Sequence, residues 1–235
     1  MSCKEKDIAL TGFMGCGKSS VGKILATLLP ECLLIDLDTY IEEKQGKDIP
    51  EIFSEYGEAA FRRMEREALE EIFSNPARPR AIISLGGGTA TSEECRQLIR
   101  RHTECFYLRA TTDTLLDNLE GHSEGRPMLS SAQTARFDKL SDWSGNSPNH
   151  YTTVAEPVNI TYKAPEMVAE PAEVPSTETS SEKEALRHRI ESLMQARSPQ
   201  YLATAHHIID IDGLTFARIA TLIKETVEHN ILNIK

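Results

Sequence analysis

The chain alternates short apolar runs with longer segments in which apolar residues recur every three or four positions. Five short runs have the length of buried strands, and they occupy residues 8–10, 32–36, 81–85, 104–108 and 206–211. Helical spacing occupies residues 18–28, 51–73, 92–99, 111–119, 184–197 and 216–227, with a break at Gly57. Strands that alternate with helices are typical of a parallel sheet with helices on its faces. The pattern therefore predicts an α/β fold.

Residues 130–183 differ in kind from the rest of the chain. They are rich in Ser, Thr, Pro, Glu and Ala, and they show no sustained helical or strand spacing. Such a composition buries too little apolar surface to fold by itself, so we expect a mostly disordered insert. Two islands, residues 137–143 and 158–162, carry aromatic or β-branched side chains that suit docking to a protein partner. The helix after the insert should end at Arg197, because Pro199 follows.

Length, charge and cysteine content narrow the class of protein. The 235 residues carry a net charge of −10, which disfavours a nucleic-acid partner because a phosphate backbone would be repelled. Five cysteines without a C-x-x-C pair suggest neither a disulfide framework nor a zinc site. The sequence suggests no signal peptide and no apolar run of membrane length. We expect one domain over residues 1–235, monomeric and cytoplasmic, with no membrane and no nucleic-acid partner.

Residues 12–19, with the sequence GFMGCGKS, match the phosphate-binding loop pattern G-x-x-x-x-G-K-[ST]. The loop lies between the first predicted strand and the first predicted helix, as the motif requires. Its backbone N–H groups can surround phosphates, Lys18 can reach the β and γ phosphates, and the Ser19 hydroxyl can bind Mg²⁺. We therefore predict binding of a nucleoside triphosphate with Mg²⁺. The candidate nucleotide-binding residues in the loop are Gly15, Cys16, Gly17, Lys18, Ser19 and Ser20.

Two aspartates, Asp36 and Asp38, follow the second predicted strand. On an extended backbone, side chains two positions apart point the same way, and ligands of open parallel sheets bind beyond the carboxyl ends of the strands. One carboxylate is suited to holding a metal-bound water or accepting a proton, and the other to binding a substrate hydroxyl. A solvated turn is the alternative explanation of this short pattern.

Arginines and glycines supply further candidates. Arg62 adjoins the apolar stripe of residues 61–73, where its charge is costly unless it meets a carboxylate; a solvated arginine is the alternative. The glycine run of residues 86–88 follows the third strand, where it either lets a ligand touch the backbone or makes a tight turn. Arg126 lies in a polar stretch that suits a mobile lid contributing charge on closing.

Six motifs follow one another along the chain: GFMGCGKS, the D-L-D of residues 36–38, G-E-x-x-F-R-R-x-E of residues 57–65, S-L-G-G-G of residues 84–88, R-P-M-L of residues 126–129 and A-R-S-P-x-Y of residues 196–201. Taken together, they resemble the motifs of the shikimate kinase family. The resemblance implies a P-loop nucleoside-monophosphate-kinase-like fold, with a five-stranded parallel sheet, helices on both faces and a mobile lid that carries the insert. It also implies transfer of the γ-phosphoryl group of ATP to the 3-hydroxyl of shikimate, in aromatic amino-acid biosynthesis.

The resemblance also implies roles for individual residues. Asp38 would bind the region of the reacting hydroxyl, while Arg62 and Arg197 would hold the substrate carboxylate. Asp36 would help hold Mg²⁺ through water, and Arg126 would be the lid arginine. The substrate-binding set is Asp38, Arg62, Gly86, Gly87, Gly88 and Arg197; the catalytic set is Lys18, Asp36 and Arg126; Ser19 and Asp36 form the metal site, and Arg126 also contacts nucleotide. The implied partners are ATP and shikimate, and the implied cofactor is Mg²⁺.

The chain departs from the family's pattern in three places. The insert lengthens the segment between Arg126 and Arg197, and residues 117–119 and 212–214 lack the basic side chains that commonly contact nucleotide. Two alternatives stay open at this point. One is a gluconate-type or other small-molecule kinase of the same architecture, and the other is a nucleotide-binding regulatory module whose insert binds a partner.

Overall fold

Five strands form one parallel sheet in the computed structural model, which describes residues 5–120 and 180–233. The strands are β1 (Asp7–Thr11), β2 (Leu33–Asp36), β3 (Ala81–Ser84), β4 (Thr103–Arg109) and β5 (His207–Asp210). Their order across the sheet is β2-β3-β1-β4-β5, and every pairing is parallel. The predicted five-stranded parallel sheet is confirmed.

Helices cover both faces of the sheet. Those of the described residues are α1 (Lys18–Leu28), α2 (Leu37–Gln45), α3 (Ile49–Ser74), α4 (Glu93–His102), α5 (Thr112–Glu120), α6 (Ser180–Thr204) and α7 (Phe216–Asn233). A break at Gly57, with φ +77°, divides α3 at the predicted position. A short 3-10 turn, Thr89–Thr91, precedes α4.

The core forms two layers because neighbouring residues of a strand point to opposite faces. In β1, Ile8 and Leu10 pack with apolar side chains of α1, α6 and α7. Ala9, between them, packs with side chains of α2, α3 and α4 on the other face. All three are fully buried. The carboxyl ends of β1, β2 and β3 therefore lie at one edge, between the two helical layers.

The second strand is less buried than its apolar sequence predicts. Leu33 is 38% exposed, because β2 lies at the edge of the sheet and pairs only with β3. The sequence pattern also misses α2, which begins directly after the last residue of β2. Its nine residues are mostly polar, so they show little apolar periodicity.

The helix α6 continues through Pro199, so the predicted end at Arg197 is wrong. Proline inside a helix costs about 3 kcal/mol, because it lacks an N–H group and its ring crowds the preceding turn. Here the Ser198 hydroxyl donates to the Met194 carbonyl oxygen at 2.6 Å. Beyond the proline, the side chain of Tyr201 is 1% exposed. Burial of this large ring outweighs the local cost of the proline.

Several predictions concern residues that the structure does not describe. The predicted lid with Arg126 and residues 130–179 of the predicted insert lie outside the described residues. The last four residues of that insert, 180–183, instead form the beginning of α6. Within residues 5–120 and 180–233, no helix combines the length and the apolar character needed to cross a membrane.

Candidate active site

The phosphate-binding loop joins β1 to α1 and encloses the ammonium group of Lys18. Lys18 Nζ donates to the carbonyl oxygens of Gly12 at 2.8 Å and Phe13 at 3.0 Å. Gly17 directly precedes α1 with φ +85°, a left-handed conformation in which a β-carbon would also lie 2.4 Å from the Phe216 ring. The ammonium group and the N-terminus of α1 both carry positive charge, so the loop is built to bind an anion.

Ser19 and Asp36 meet beside this loop. Ser19 Oγ donates to Asp36 Oδ2 at 2.8 Å. Asp36 Oδ1 accepts a hydrogen bond from the Thr39 backbone N–H at 3.5 Å, at the start of α2. A hydroxyl and a carboxylate are hard oxygen ligands, which Mg²⁺ takes together with water and phosphate oxygens. The pair therefore fits a magnesium site next to the phosphates.

Asp36 and Asp38 do not share one extended strand, as the sequence analysis assumed. Asp36 ends β2 with φ −94° and ψ 117° and caps α2, whereas Asp38 lies in the first turn of that helix. The two carboxylates are still close enough for the charge of Asp36 to raise the pKa of Asp38. A strand-to-helix junction, rather than strand alternation, brings them together.

Asp38 lies in an environment rich in carboxylates. A β-carbon added to Gly86 would lie 2.6 Å from Asp38 Oδ1 and 3.1 Å from Glu65 Oε1. Burial, followed by repulsion from Glu65 and Asp36, raises the pKa of Asp38 from 3.8 to about 7, while Lys18 opposes the increase. A carboxyl group with that pKa can exchange a proton near neutral pH.

Arg62, in α3, is held by two carboxylates. Its NH1 group donates to Glu65 at 2.6 Å, and its NH2 and Nε groups donate to Glu58 at 2.9 and 3.3 Å. Glu65 is 0% exposed and also accepts a hydrogen bond from the Thr89 hydroxyl at 2.5 Å. Burial lowers the pKa of Arg62, but the two glutamates outweigh it and the net pKa is raised, so the guanidinium stays charged.

The glycine loop, residues 86–88, is the meeting point of the predicted substrate-binding residues. Asp38 adjoins its first glycine, and the Arg62 guanidinium adjoins its third. The carbonyl of the second glycine accepts a hydrogen bond from the Tyr201 hydroxyl at 2.5 Å. The Arg197 guanidinium lies beside that hydroxyl and acts against the increase of its pKa by burial. Side chains from α2, α3 and α6 thus converge on one short loop beside the phosphate-binding loop.

Two uncharged side chains pack on the phosphate-binding loop, one within residues 117–119 and the other just beyond residues 212–214, where the chain lacks basic residues. Asn118 Nδ2 donates to the carbonyl oxygen of Gly15 at 3.0 Å. The Phe216 ring, at the start of α7, packs against Gly17. Both contacts fix the loop backbone rather than supply positive charge.

The predicted nucleotide-binding residues of the loop lie together around the start of α1. Gly15, Gly17, Lys18, Ser19 and Ser20 are half-buried, and Cys16 is fully buried with its Sγ 3.8 Å from Lys18 Nζ. Arg126 lies outside the described residues. The candidate site has two halves. One is the pair Ser19 and Asp36, and the other consists of the glycine loop with Asp38, Arg62 and Arg197.

Several residues of the site received no role from the sequence, among them Glu65, Thr89 and Tyr201. The spacing of Arg62 and Glu65 at i and i+3 on a helix is the signal that could identify the first. Thr89 and Tyr201 act through contacts with residues distant in the sequence, which spacing does not reveal.

Comparison with known sequences connects this geometry to one family. The shikimate kinase family model matches residues 14–173. The shikimate kinase of Enterococcus faecalis is 37% identical over 131 residues, which cover 56% of this chain and 75% of that protein. The shikimate kinase of Sulfurihydrogenibium sp. is 33% identical over 165 residues, which cover 70% of this chain and 94% of that protein.

Solved structures agree with the sequence comparison. A shikimate kinase from Bacteroides thetaiotaomicron is similar with a TM-score of 0.65 and 25% identity, over 95% of this chain and 98% of that one. A shikimate kinase from Acinetobacter baumannii in complex with shikimate shares the fold, with a TM-score of 0.64 and 23% identity over 96% and 94% of the two chains. Because the family match spans more than half of the sequence, the chain belongs to the shikimate kinase family.

Proposed function

We propose that the chain transfers the γ-phosphoryl group of ATP to the 3-hydroxyl of shikimate. The observation that supports this most directly is the convergence of Asp38, Arg62 and Arg197 on the glycine loop, beside a phosphate-binding loop. Cationic groups for a carboxylate and a carboxylate for a hydroxyl suit a small hydroxy acid. Membership of the family identifies that acid as shikimate.

In this proposal Arg62 and Arg197 bind the shikimate carboxylate. Arg62 is fixed by Glu58 and Glu65, and its side chain is 16% exposed, so its planar guanidinium is held in one orientation with part of it accessible. A fixed guanidinium binds a carboxylate with less loss of side-chain entropy than a free one. A backbone contact from Gly87 completes the carboxylate end.

At the other end of the substrate, Asp38 binds the 3-hydroxyl and accepts its proton. As the hydroxyl oxygen attacks the γ phosphorus, a new O–P bond forms and the bond from that phosphorus to the bridging oxygen of ADP breaks. ADP leaves with the bridging oxygen, and the proton remains on Asp38. Its pKa of about 7 suits a group that must accept a proton and later release it at neutral pH.

The phosphate groups of ATP bind at the start of α1. Lys18 and the loop N–H groups contact the β and γ phosphates, and Ser19 and Asp36 would hold Mg²⁺. Mg²⁺, when bound, would neutralise charge on the phosphate oxygens. Arg126 would contribute a further positive charge from the lid. We propose that residues 1–235 act as one domain in which the insert, limited to residues 130–179 by the start of α6, offers a surface for a protein partner.

A coupled assay of ADP release tests the reaction. Purified protein with Mg-ATP should release ADP in the presence of shikimate and should not do so with gluconate, and mass spectrometry with NMR should place the phosphate on the 3-oxygen. The Asp38→Asn variant should lose turnover, whereas Asp48→Asn, at the exposed start of α3, should retain it. Turnover with gluconate, or ADP release that does not depend on shikimate, would contradict the proposal.

A further inference from the structure

Among the described residues, a hydrogen bond from a distant part of the chain reaches the backbone of the glycine loop. Each of its three carbonyl groups accepts a hydrogen bond. The carbonyl of Gly86 accepts from Thr89 N at 3.2 Å, and that of Gly88 accepts from Thr91 N at 2.9 Å. Both donors follow within the next turn. The carbonyl of Gly87 accepts instead from Tyr201, which lies 114 positions later.

The hydroxyl of Tyr201 makes a second interaction, with Arg197. The two residues are one turn apart on α6, and the Arg197 guanidinium lies close enough to the Tyr201 hydroxyl to act against the increase of its pKa by burial. The hydroxyl thus donates to the Gly87 carbonyl and faces a guanidinium, which can only donate. Gly87 and Arg197 are both proposed contacts of the substrate carboxylate. A single oxygen atom thus connects two parts of the same binding subsite.

The ring of Tyr201 is fixed by its surroundings. It is among the largest fully buried side chains, and it packs against the Tyr107 ring of β4 with 5.2 Å between the ring centroids. Glycine has little intrinsic preference among backbone conformations, and a β-carbon at Gly87 would meet nothing closer than 3.6 Å. Local sterics therefore restrain the Gly87 peptide weakly, and the buried hydroxyl supplies the restraint.

We propose that Tyr201 is a positioning residue for shikimate binding, whose hydroxyl fixes the peptide between Gly87 and Gly88 and the Arg197 guanidinium beside the substrate carboxylate. The inference rests on the proposed function and adds to it. Tyr201 touches neither substrate nor phosphate in this account. It acts through the two groups that its hydroxyl holds, so its removal should weaken shikimate binding and leave nucleotide binding and the phosphoryl transfer step nearly intact.

The Tyr201→Phe variant removes this oxygen and keeps the buried ring. Two oriented contacts to a charged carboxylate are loosened, so we expect the KM for shikimate to rise about tenfold. The KM for ATP and kcat should each stay within about twofold. Equilibrium binding of shikimate should weaken by the same factor as KM. An unchanged KM for shikimate, or equal changes for both substrates, would overturn the inference.

Tyr107→Phe is the matched control. Tyr107 is 2% exposed and packs on the ring of Tyr201, and its hydroxyl interacts with Ser198 rather than with the glycine loop. It reports the cost of deleting a buried tyrosine hydroxyl from this part of the core. We expect similar losses of thermal stability in both variants but no change of shikimate KM in Tyr107→Phe. A tenfold rise in both variants would mean a structural effect and would overturn the inference.

A neutral analogue separates positioning of the carboxylate contacts from general disturbance of the site. With the methyl ester of shikimate, which lacks the negative charge, Tyr201→Phe and the unaltered protein should differ by about twofold or less. A tenfold difference that persists with the ester would contradict the proposed link to Arg197. Should Tyr201→Phe fail to fold, Tyr201→p-aminophenylalanine replaces it, because its aniline group still donates but accepts poorly. Shikimate KM must then rise several-fold, and an unchanged value overturns the inference.

Different results would contradict the proposed function and the role of Tyr201. If the unaltered protein shows no shikimate-dependent turnover, the proposed function is wrong and the inference falls with it. If the unaltered protein phosphorylates shikimate and Tyr201→Phe does so with the same KM, only the inference is wrong.

Discussion

Replacing Asp38 by asparagine should stabilise the fold while it abolishes the activity. Burial of the Asp38 carboxylate, followed by repulsion from Glu65 and Asp36, raises its pKa. The folded protein therefore holds a proton on Asp38 more tightly than the unfolded chain does. Between pH 3.8 and about 7 the folded state binds more protons, so the contribution of this residue to stability falls as pH rises through that window.

The magnitude follows from the difference in pKa. A change from 3.8 to about 7, at about 1.4 kcal/mol per pKa unit, corresponds to about 4 kcal/mol once the pH exceeds 7. Asp38 is half-buried, so screening by water reduces this, and we expect about 2 kcal/mol. Asparagine is neutral at every pH and can donate its amide N–H groups to the neighbouring carboxylates. The gain should be about 2 kcal/mol at pH 8.5 and less than half of that at pH 5.

Urea denaturation at pH 5 and pH 8.5 measures this gain, because the difference between variant and unaltered protein cancels the titration of groups that do not interact with Asp38. Asp48→Asn makes the same chemical change at an exposed helix N-terminus, where the carboxylate accepts a hydrogen bond from Glu51 N at 2.8 Å. Asparagine caps helices as well as aspartate does, so the control should show almost no change at either pH. An equal gain for Asp38→Asn at both pH values, or a loss at pH 8.5, would refute the electrostatic reasoning.

Three further predictions concern charged residues of the site and of the core. In the unaltered protein, kcat/KM for shikimate should decrease as the pH is lowered, with a midpoint near 7, the pKa of Asp38. Only the ionised carboxylate can accept the hydroxyl proton. A midpoint near pH 4 in the pH–rate profile would contradict this. Arg62→Ala should raise the shikimate KM by about 10- to 100-fold, whereas Arg126→Ala should mainly lower kcat; steady-state kinetics with equal changes of both parameters in both variants would be inconsistent with these roles. Arg78→Ala removes the bidentate partner of the buried Asp7 and should cost about 3 to 5 kcal/mol in urea denaturation without changing either KM; a loss below about 1 kcal/mol would contradict it.

The sheet could be predicted because its strands carry their own signal. Each of the five runs is apolar enough to stand out from the polar segments around it, and the phosphate-binding loop marks where the first strand meets its helix. The strand order is also consistent with a binding edge at the ends of β1 and β3. The local sequence pattern is sufficient to predict an element whose burial depends on its own apolar residues.

Local pattern failed where packing against another element decides the structure. Pro199 predicts a helix end, yet α6 continues because Tyr201 is buried beyond it. The pair Asp36 and Asp38 reads as the end of a strand, yet the first residue caps a polar helix that shows no apolar stripe. The same limit hides Glu65, because full burial of a glutamate depends on its contacts with Arg62 and Thr89. These contacts form only in the folded chain.

The glycines of the loop illustrate how a correct prediction can have an incomplete reason. The sequence predicted that residues 86–88 are glycines because a ligand touches the backbone there or because the chain makes a tight turn. In the structure, a β-carbon at Gly86 would lie 2.6 Å from Asp38 Oδ1, and one at Gly88 would lie 2.3 Å from a guanidinium nitrogen of Arg62. Those two glycines make room for the protein's own side chains.

At Gly87 the atom nearest to an added β-carbon would be 3.6 Å away, so of the three glycines only this one has space facing outward from the loop. It is also the position whose carbonyl Tyr201 holds. That hydrogen bond fixes the plane of the peptide that joins Gly87 to Gly88, so the open side of the loop keeps one backbone orientation toward the substrate.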